Sequence, residues 1–390
     1  MRQIFLTLFL LVSLLPPHAP RLVPPDQAAP DPEPDSGSVV CPPGMYVSAP
    51  DDCLALGPSE SIAQLAAQGI PYPILPLPAY KPDRALAEIP YRYLMLAQED
   101  QAFYIFDSLG EAESNTTSGR SVGPGEVFVS YVELVENSRG VFYRLRSGAW
   151  VRGDYGARRA LHMPFQGLQF SSTPANSFGW VMGQVTSQTA PGFGAPYTGK
   201  TYYRYNVVQV YAVQDLDGLT WVEIGPDEWL DYRLVARVDP RREPPPGVTG
   251  DRWIEINLDE QTIAVYQEDH MVFATLTSTG VENLWTRPGL FQIYEKKPTE
   301  DMTGVTEADR SDYYYIEDVP WTMYFDERRA LHGAFWHDLF GYQNSHGCVN
   351  LSLGDSHWIY DWAALGDYVY VFDPSGHTPT DPSLFGPGAP

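Results

Sequence analysis

Residues 330–350 read A-L-H-G-A-F-W-H-D-L-F-G-Y-Q-N-S-H-G-C-V-N. His332, His346, Gly347 and Cys348 fall inside this stretch, and no other part of the chain concentrates reactive side chains in the same way. Cys348 reads as a nucleophile. A free thiol ionises near pH ~8.5, so at neutral pH it needs a base or a cation beside it. Two histidines are candidates: His346 lies two positions before the cysteine, and His332 sixteen before it, far enough for the chain to leave a strand, cross a loop and return. Gly347 has no Cβ and allows a tight turn in which successive amide N–H groups face one point. Such a nest beside a thiol is what acyl transfer needs to hold an oxyanion. Burial as a small apolar side chain is the usual fate of a lone cysteine, but it fits poorly between Gly347 and the polar Asn350 with two histidines near.

The pair His332-Gly333, followed by Ser345-His346-Gly347-Cys348-Val349-Asn350, resembles the signature of the L,D-transpeptidase (YkuD domain) family. Ser278-Thr279-Gly280 and Thr286-Arg287-Pro288-Gly289-Leu290-Phe291-Gln292-Ile293 are similar to two upstream segments of that family, with the proline one place later than usual. Gly354 to Tyr360 resembles its helix after the cysteine, and Asp367 to Val371 its closing strand. The resemblance implies a catalytic domain over 251–373, a mixed-strand β sandwich with one or two short helices and Cys348 at the mouth of a groove between sheets. It further implies Cys348 as nucleophile, His332 as proton donor and acceptor, and the Gly333 carbonyl as the group that orients the ring. Gly347 and Cys348 would supply the oxyanion hole, His346 and Ser345 would shape the turn, and Asn350 would support it. The implied substrates are peptidoglycan stem peptides, one as acyl donor and one as acceptor, joined 3→3 through a cysteine thioester. Water in place of the acceptor would make the enzyme an L,D-carboxypeptidase. No cofactor and no metal are implied.

Composition agrees with a β-rich protein. The 390 residues are enough for two or three domains. A net charge of -24 and a pI near 4.5 would repel phosphate backbones, which argues against nucleic acid as a partner. Aromatic residues make up 13% of the chain, and 36 prolines and 33 glycines favour short strands and turns over long helices.

Residues 1–19 carry one arginine and the apolar run Ile4 to Leu15, too short to span a bilayer comfortably. They read as a secretory signal. Pro16, Pro17 and Pro20 crowd the cleavage region, so the segment is either removed or kept as an uncleaved anchor. Export to the cell wall or periplasm is the expectation. Residues 20–57 form a Pro/Asp-rich spacer in which Cys41 and Cys53 are placed for a local disulfide, leaving Cys348 as the odd thiol. Residues 58–87 are an irregular lead-in with one helical stretch, Glu60 to Ala67, before a run of prolines.

An internal repeat follows. Gly140 to Val151 and Gly218 to Leu230 share a glycine turn, an aromatic three places on, and a closing tryptophan, Trp150 or Trp229. Each is preceded by an alternating strand, Val127 to Val135 or Tyr205 to Ala212. Period-two alternation between glycine turns predicts small antiparallel barrels. These modules, 88–160 and 161–239, resemble bacterial SH3-like domains, which implies either glycan binding or a spacer role with both tryptophans in barrel cores. Pro240 to Gly247 reads as a stiff linker within 240–250. Trp253 to Leu258 and Thr262 to Tyr266 predict a hairpin opening the catalytic domain, and the acidic, tyrosine-rich 295–318 an insert of the kind that serves as a lid. Residues 374–390 read as a tail, and the protein as a monomer.

Two other functions compete. His332, His337, His346 and Cys348 are the residue types of a zinc site, but no CxxC or HxxxH spacing occurs, and His337 and His357 read as exposed or packing residues. A wall-binding protein with a decayed catalytic domain would have lost Cys348 or His332, and both are present.

Overall fold

The computed structural model describes residues 77–80, 82–97, 103–115, 119–122, 125–153, 157–160, 165–304 and 313–385, all within one of the two units into which the chain divides, Asp35–Pro390. The expected signal, the spacer with Cys41 and Cys53, and the stretch Glu60 to Ala67 lie outside the described residues.

The chain is mostly β. Arg252–Asn257 and Thr262–Gln267 form the expected antiparallel hairpin, with Trp253 paired to Tyr266 and their rings stacked 4.8 Å apart. Alternation fails as a guide to exposure here, because both faces of this hairpin are covered. It sits in a seven-stranded sheet with His270–Leu276 on one side and the closing strand Tyr368–Phe372 on the other, the latter running parallel to Arg252–Asn257. Leu168–Phe170 extends the same sheet beyond His270–Leu276.

A second, eleven-stranded sheet carries Tyr314–Asp326, Arg329–Gly333 and Val349–Leu351. Between the sheets lies one core: Ile254, Ile256, Val265 and Phe273 meet Met323, Phe325, Leu331, Val349 and Leu351, closed by Ile359 of the helix Leu353–Trp362. Ser352 caps that helix by accepting from the Asp355 N–H at 3.2 Å.

In the described parts of the segment expected as a lid, 295–304 and 314–318 are sheet. Glu295–Gly304 pairs antiparallel with Tyr314–Asp326 as a long hairpin within the second sheet. Of the segment's described residues, Met302, Tyr314 and Ile316 are buried against Tyr93, Phe128 and Phe335, and Asp318 is buried as well. Tyr314 to Ile316 also run parallel to Glu126 to Phe128, so strands on either side of Pro240 to Gly247 share one sheet.

Both halves of the internal repeat fold as antiparallel meanders, Glu126–Asn137 with Gly140–Leu145 and Trp150–Arg152, and Ala212–Leu216 with Leu219–Gly225 and Glu228–Asp231. Of the two readings of the closing tryptophans, burial in barrel cores holds only in part: Val151 and Leu230 point inward, so by the strand pleat Trp150 and Trp229 turn to the other face and are half-buried, Trp150 against Phe106, Ala112 and Phe142. Trp180 and Trp221 are the tryptophans fully buried in 161–239. Trp180, with Phe165 and Phe178, belongs to a core shared with Trp253, Tyr266 and Leu276. The proline-rich segment before Trp253 is tied down as well: the Arg241 N–H donates to Tyr266 Oη at 2.8 Å and its guanidinium to Glu255.

Candidate active site

Arg329–Gly333 and Val349–Leu351 run parallel, with Leu331 opposite Val349, His332 opposite Asn350 and Gly333 opposite Leu351. Because Leu331, Val349 and Leu351 enter the inter-sheet core, the pleat sends Ala330, His332, Cys348 and Asn350 to the opposite face. Cys348 therefore faces away from the inter-sheet core and packs against Tyr324 and Ala330. The site lies where the chain beyond Leu276 leaves the first sheet and pairs with the edge of the second: Ser278 bridges to Asn350, their N–H and C=O groups exchanging hydrogen bonds of 3.0 and 2.8 Å.

The turn before the cysteine is built by hydroxyls. Ser345 Oγ donates to the Cys348 carbonyl at 2.5 Å and accepts from the Gly347 N–H at 3.1 Å. Gly347 has φ of +116°, a conformation that favours glycine. Thr286 Oγ1 donates to the Gly347 carbonyl at 2.9 Å while accepting from the Gly280 N–H at 3.0 Å. A side chain at Gly280 would bring a Cβ within 2.0 Å of the Leu284 carbonyl oxygen. The late proline leaves this arrangement intact: the additional residue, Arg287, reaches Asp326 through Nε at 3.0 Å.

One expectation is corrected here. The Gly347 N–H, assigned to the oxyanion hole, is engaged by Ser345 Oγ, because the positive φ that makes the turn also points this amide back into it.

The Cys348 thiol is 6% exposed and donates to the Arg328 carbonyl at 3.8 Å. Burial pushes it up to about 11, against the pull of the Ala330 N–H and the Arg329 charge. Arg329 is itself buried, held by Asp326 at 3.1 Å and by the Trp285 carbonyl at 3.3 Å. His332 is 2% exposed, and burial lowers it to about 4. Its Nδ1 lies 3.3 Å from the Gly333 carbonyl, an acceptor, so Nδ1 carries the proton and Nε2 the lone pair. The ring stacks on Trp336 at 5.6 Å, and Trp336 lies 6.5 Å from Phe128 of the N-terminal meander. His346 points elsewhere, stacked at 4.9 Å on Tyr314.

His337, read as an exposed or packing residue, is half-buried and packs 5.4 Å from Phe340, and it also reaches the site, its Nε2 2.9 Å from the Asn350 amide. Burial lowers it also to about 4. Its loop is fastened from outside the catalytic segment: Arg204 Nη2 and Tyr205 Oη both donate to the Asp338 carbonyl, at 2.8 and 2.9 Å. Arg329, Tyr324 and Trp336 were likewise not singled out. The adjacent Arg328-Arg329 pair, three residues before His332, and a third histidine five residues after it are the signals that pointed to them. Among the described residues no group of three or more His, Cys, Asp or Glu is arranged to hold a metal ion.

Residues 251–371 match the family model of the YkuD L,D-transpeptidase catalytic domain. Among solved structures the chain is similar to an L,D-transpeptidase from Stackebrandtia nassauensis, 25% identical over 32% of this chain and 57% of that one, with a TM-score of 0.26. It is also similar to the L,D-transpeptidase from Xylanimonas cellulosilytica (24% identity, 33% and 64% covered, TM-score 0.27) and to one from Mycobacterium smegmatis (15% identity, 53% and 89% covered, TM-score 0.30). The chain thus spans 57% and 64% of the first two. No curated protein matches it.

Proposed function

Residues 251–371 being a YkuD L,D-transpeptidase catalytic domain, we propose that the protein is a peptidoglycan L,D-transpeptidase that forms 3→3 cross-links through a thioester on Cys348. The observation that carries the reading is the strand register, His332 and Cys348 on one face of a parallel pair with the Gly333 carbonyl fixing the imidazole tautomer.

With the thiol near 11 and the imidazole near 4, the resting pair is a neutral thiol and a neutral imidazole. The proton leaves sulfur as the bond forms, and His332 acts as a general base, a role worth roughly 10²–10⁴ in rate. Sγ attacks the amide carbonyl carbon after the third stem residue, and the thiol proton passes to His332 Nε2. The C–N bond then breaks, Nε2 returns the proton to the leaving D-amino acid amine, and a thioester remains. The main-chain amide of Cys348 is the donor this reading assigns to the developing oxyanion. The side-chain amine of a neighbouring stem attacks the thioester, its proton goes through His332 to the departing sulfur, and the cross-link is complete. Water as acceptor would instead give L,D-carboxypeptidase activity.

The same reading makes the protein an exported one, acting in the cell wall or periplasm, with 1–19 as signal or anchor and the 88–160 and 161–239 regions as SH3-like contacts to glycan. Glycan binding is tested by co-sedimentation of the full chain with stem-free glycan strands. Retention in the supernatant would leave these regions a supporting role only.

The catalytic reading is tested by intact mass spectrometry after incubation with a carbapenem. One adduct is expected on the wild type and none on Cys348→Ala. An adduct that persists in the variant, or no adduct on a folded, reduced wild type, contradicts it.

A further inference from the structure

The contact between His337 and Asn350 contains a contradiction that a half-turn of the Asn350 amide resolves while leaving the ring in place. The Leu339 N–H donates to His337 Nδ1 at 3.2 Å, so Nδ1 is the lone-pair nitrogen and the ring proton sits on Nε2. Nε2 then needs an acceptor, yet the atom placed 2.9 Å from it is Asn350 Nδ2, also a donor, while Asn350 Oδ1 is buried without any partner. The two ends of an amide have the same shape and exchange by a half-turn. With the amide turned, Nε2–H donates to Oδ1 and the conflict is gone. The N–H₂ end now occupies the position that had no protein partner.

We propose that His337 is a positioning residue that holds the Asn350 amide with its N–H₂ end toward the substrate, where it donates to a second main-chain carbonyl of the acyl-donor peptide. The inference rests on the transpeptidase reading and extends it to donor recognition. Three observations place the amide correctly. Asn350 is the cross-strand partner of His332 and is two residues from Cys348 on the same face. Alternate residues of extended chains lie roughly 6.5–7 Å apart, so a peptide with one carbonyl at Sγ and lying along this strand brings its next same-side carbonyl to the amide. The backbone of Asn350 cannot drift, since Ser278 and Thr277 Oγ1 hold it, the latter at 2.8 Å from its carbonyl. A buried donor left without a partner is costly, and a substrate carbonyl supplies one. His337 in turn is held by its loop, which Arg204 and Tyr205 clamp at Asp338.

The test has two arms on the full-length protein. In the resting enzyme, ¹⁵N NMR of the histidine rings is expected to show His337 protonated at Nε2; an Nδ1-protonated ring overturns the proposal whatever the activity. In steady-state transpeptidation with a soluble disaccharide-tetrapeptide donor, His337→Phe is expected to raise donor KM about tenfold and change kcat by less than about threefold. His337→Gln, which keeps an N–H near the same place, should recover most of that loss. Asn350→Ala and the double variant should show the same KM rise as His337→Phe alone, because the pair acts as one unit. A fall in kcat at constant KM, effects that multiply in the double variant, or a glutamine no better than phenylalanine would each overturn it. Thermal melts of all four proteins separate misfolding from these outcomes, and Asn350→Ala reads the same interaction without altering the loop. A wild type that forms no acyl-enzyme defeats the transpeptidase reading itself, a result distinct from a working wild type whose KM is indifferent to His337.

Discussion

His332 and Asn350 stand directly opposite each other on two parallel strands, and this single register brings the imidazole and the thiol of Cys348 to one face of the sheet. Both reactive groups are buried and neutral at rest. The consequences can be measured.

The acid limb of the acylation rate should report a histidine near 4, not the ordinary 6.5, because burial disfavours the imidazolium. Carbapenem acylation measured by stopped-flow fluorescence is expected to stay flat from about pH 8 down to about pH 5.5 and to fall below that. His332→Ala should lower the rate by roughly 10²–10⁴ across the range. A midpoint near 6.5 would mean that water reaches the ring in the working enzyme.

Thr286 ties Gly280 to the turn that presents the cysteine. Thr286→Val keeps the shape and leaves one buried N–H and one buried C=O unpartnered, at a cost of about 1–3 kcal/mol. Urea unfolding should show that loss, together with slower acylation, since the turn at Gly347 loses its outer support.

Phe128 lies far from Cys348 in sequence, but its ring packs edge-on against Phe335 at 5.8 Å and beside Trp336, which backs His332. Phe128→Ala is expected to cost about 3–5 kcal/mol and to slow acylation. Stability lost without any change in acylation would show that Trp336 holds the imidazole unaided.

Glu260 is buried beside the Tyr232 hydroxyl, and burial raises its carboxyl to about 7. The Arg237 main-chain N–H donates to Glu260 Oε2 at 2.8 Å and pulls the value down without cancelling the effect of burial, while the Arg237 guanidinium stands 3.9 Å away and is turned to Asp239 at 3.0 Å. A raised carboxyl favours the folded state most below its unfolded value near 4.5, and that contribution disappears as pH rises through about 7. Glu260→Gln should therefore match the wild type at pH 4 and be more stable at pH 8 by about 1–3 kcal/mol. Equal stability at both values would place an unseen countercharge beside the carboxyl.

What could be read from the chain was local. The hairpin at Trp253 to Tyr266, the helix after the cysteine and the closing strand near Tyr370 each carry their own period or cap, and the His-Gly and Ser-His-Gly-Cys spacing marks the two site strands. What could not be read depends on pairing at a distance. The parallel register of Tyr314 to Ile316 with Glu126 to Phe128 joins segments nearly two hundred residues apart, and turns an apparent polar insert into sheet. Burial of His337 depends on a loop clamped by Arg204 and Tyr205, which no local pattern encodes. Engagement of the Gly347 N–H by Ser345 follows from one dihedral angle, not from the motif.

The central claim is tested most directly by incubating the full-length protein with purified disaccharide-tetrapeptide and resolving protein and products by tandem mass spectrometry. The account predicts a transient acyl adduct on the peptide bearing Cys348, release of the terminal D-amino acid, and a dimer linked between two third residues, with all three lost in Cys348→Ala. Dimers without an adduct on Cys348, or turnover that survives its replacement, would contradict it.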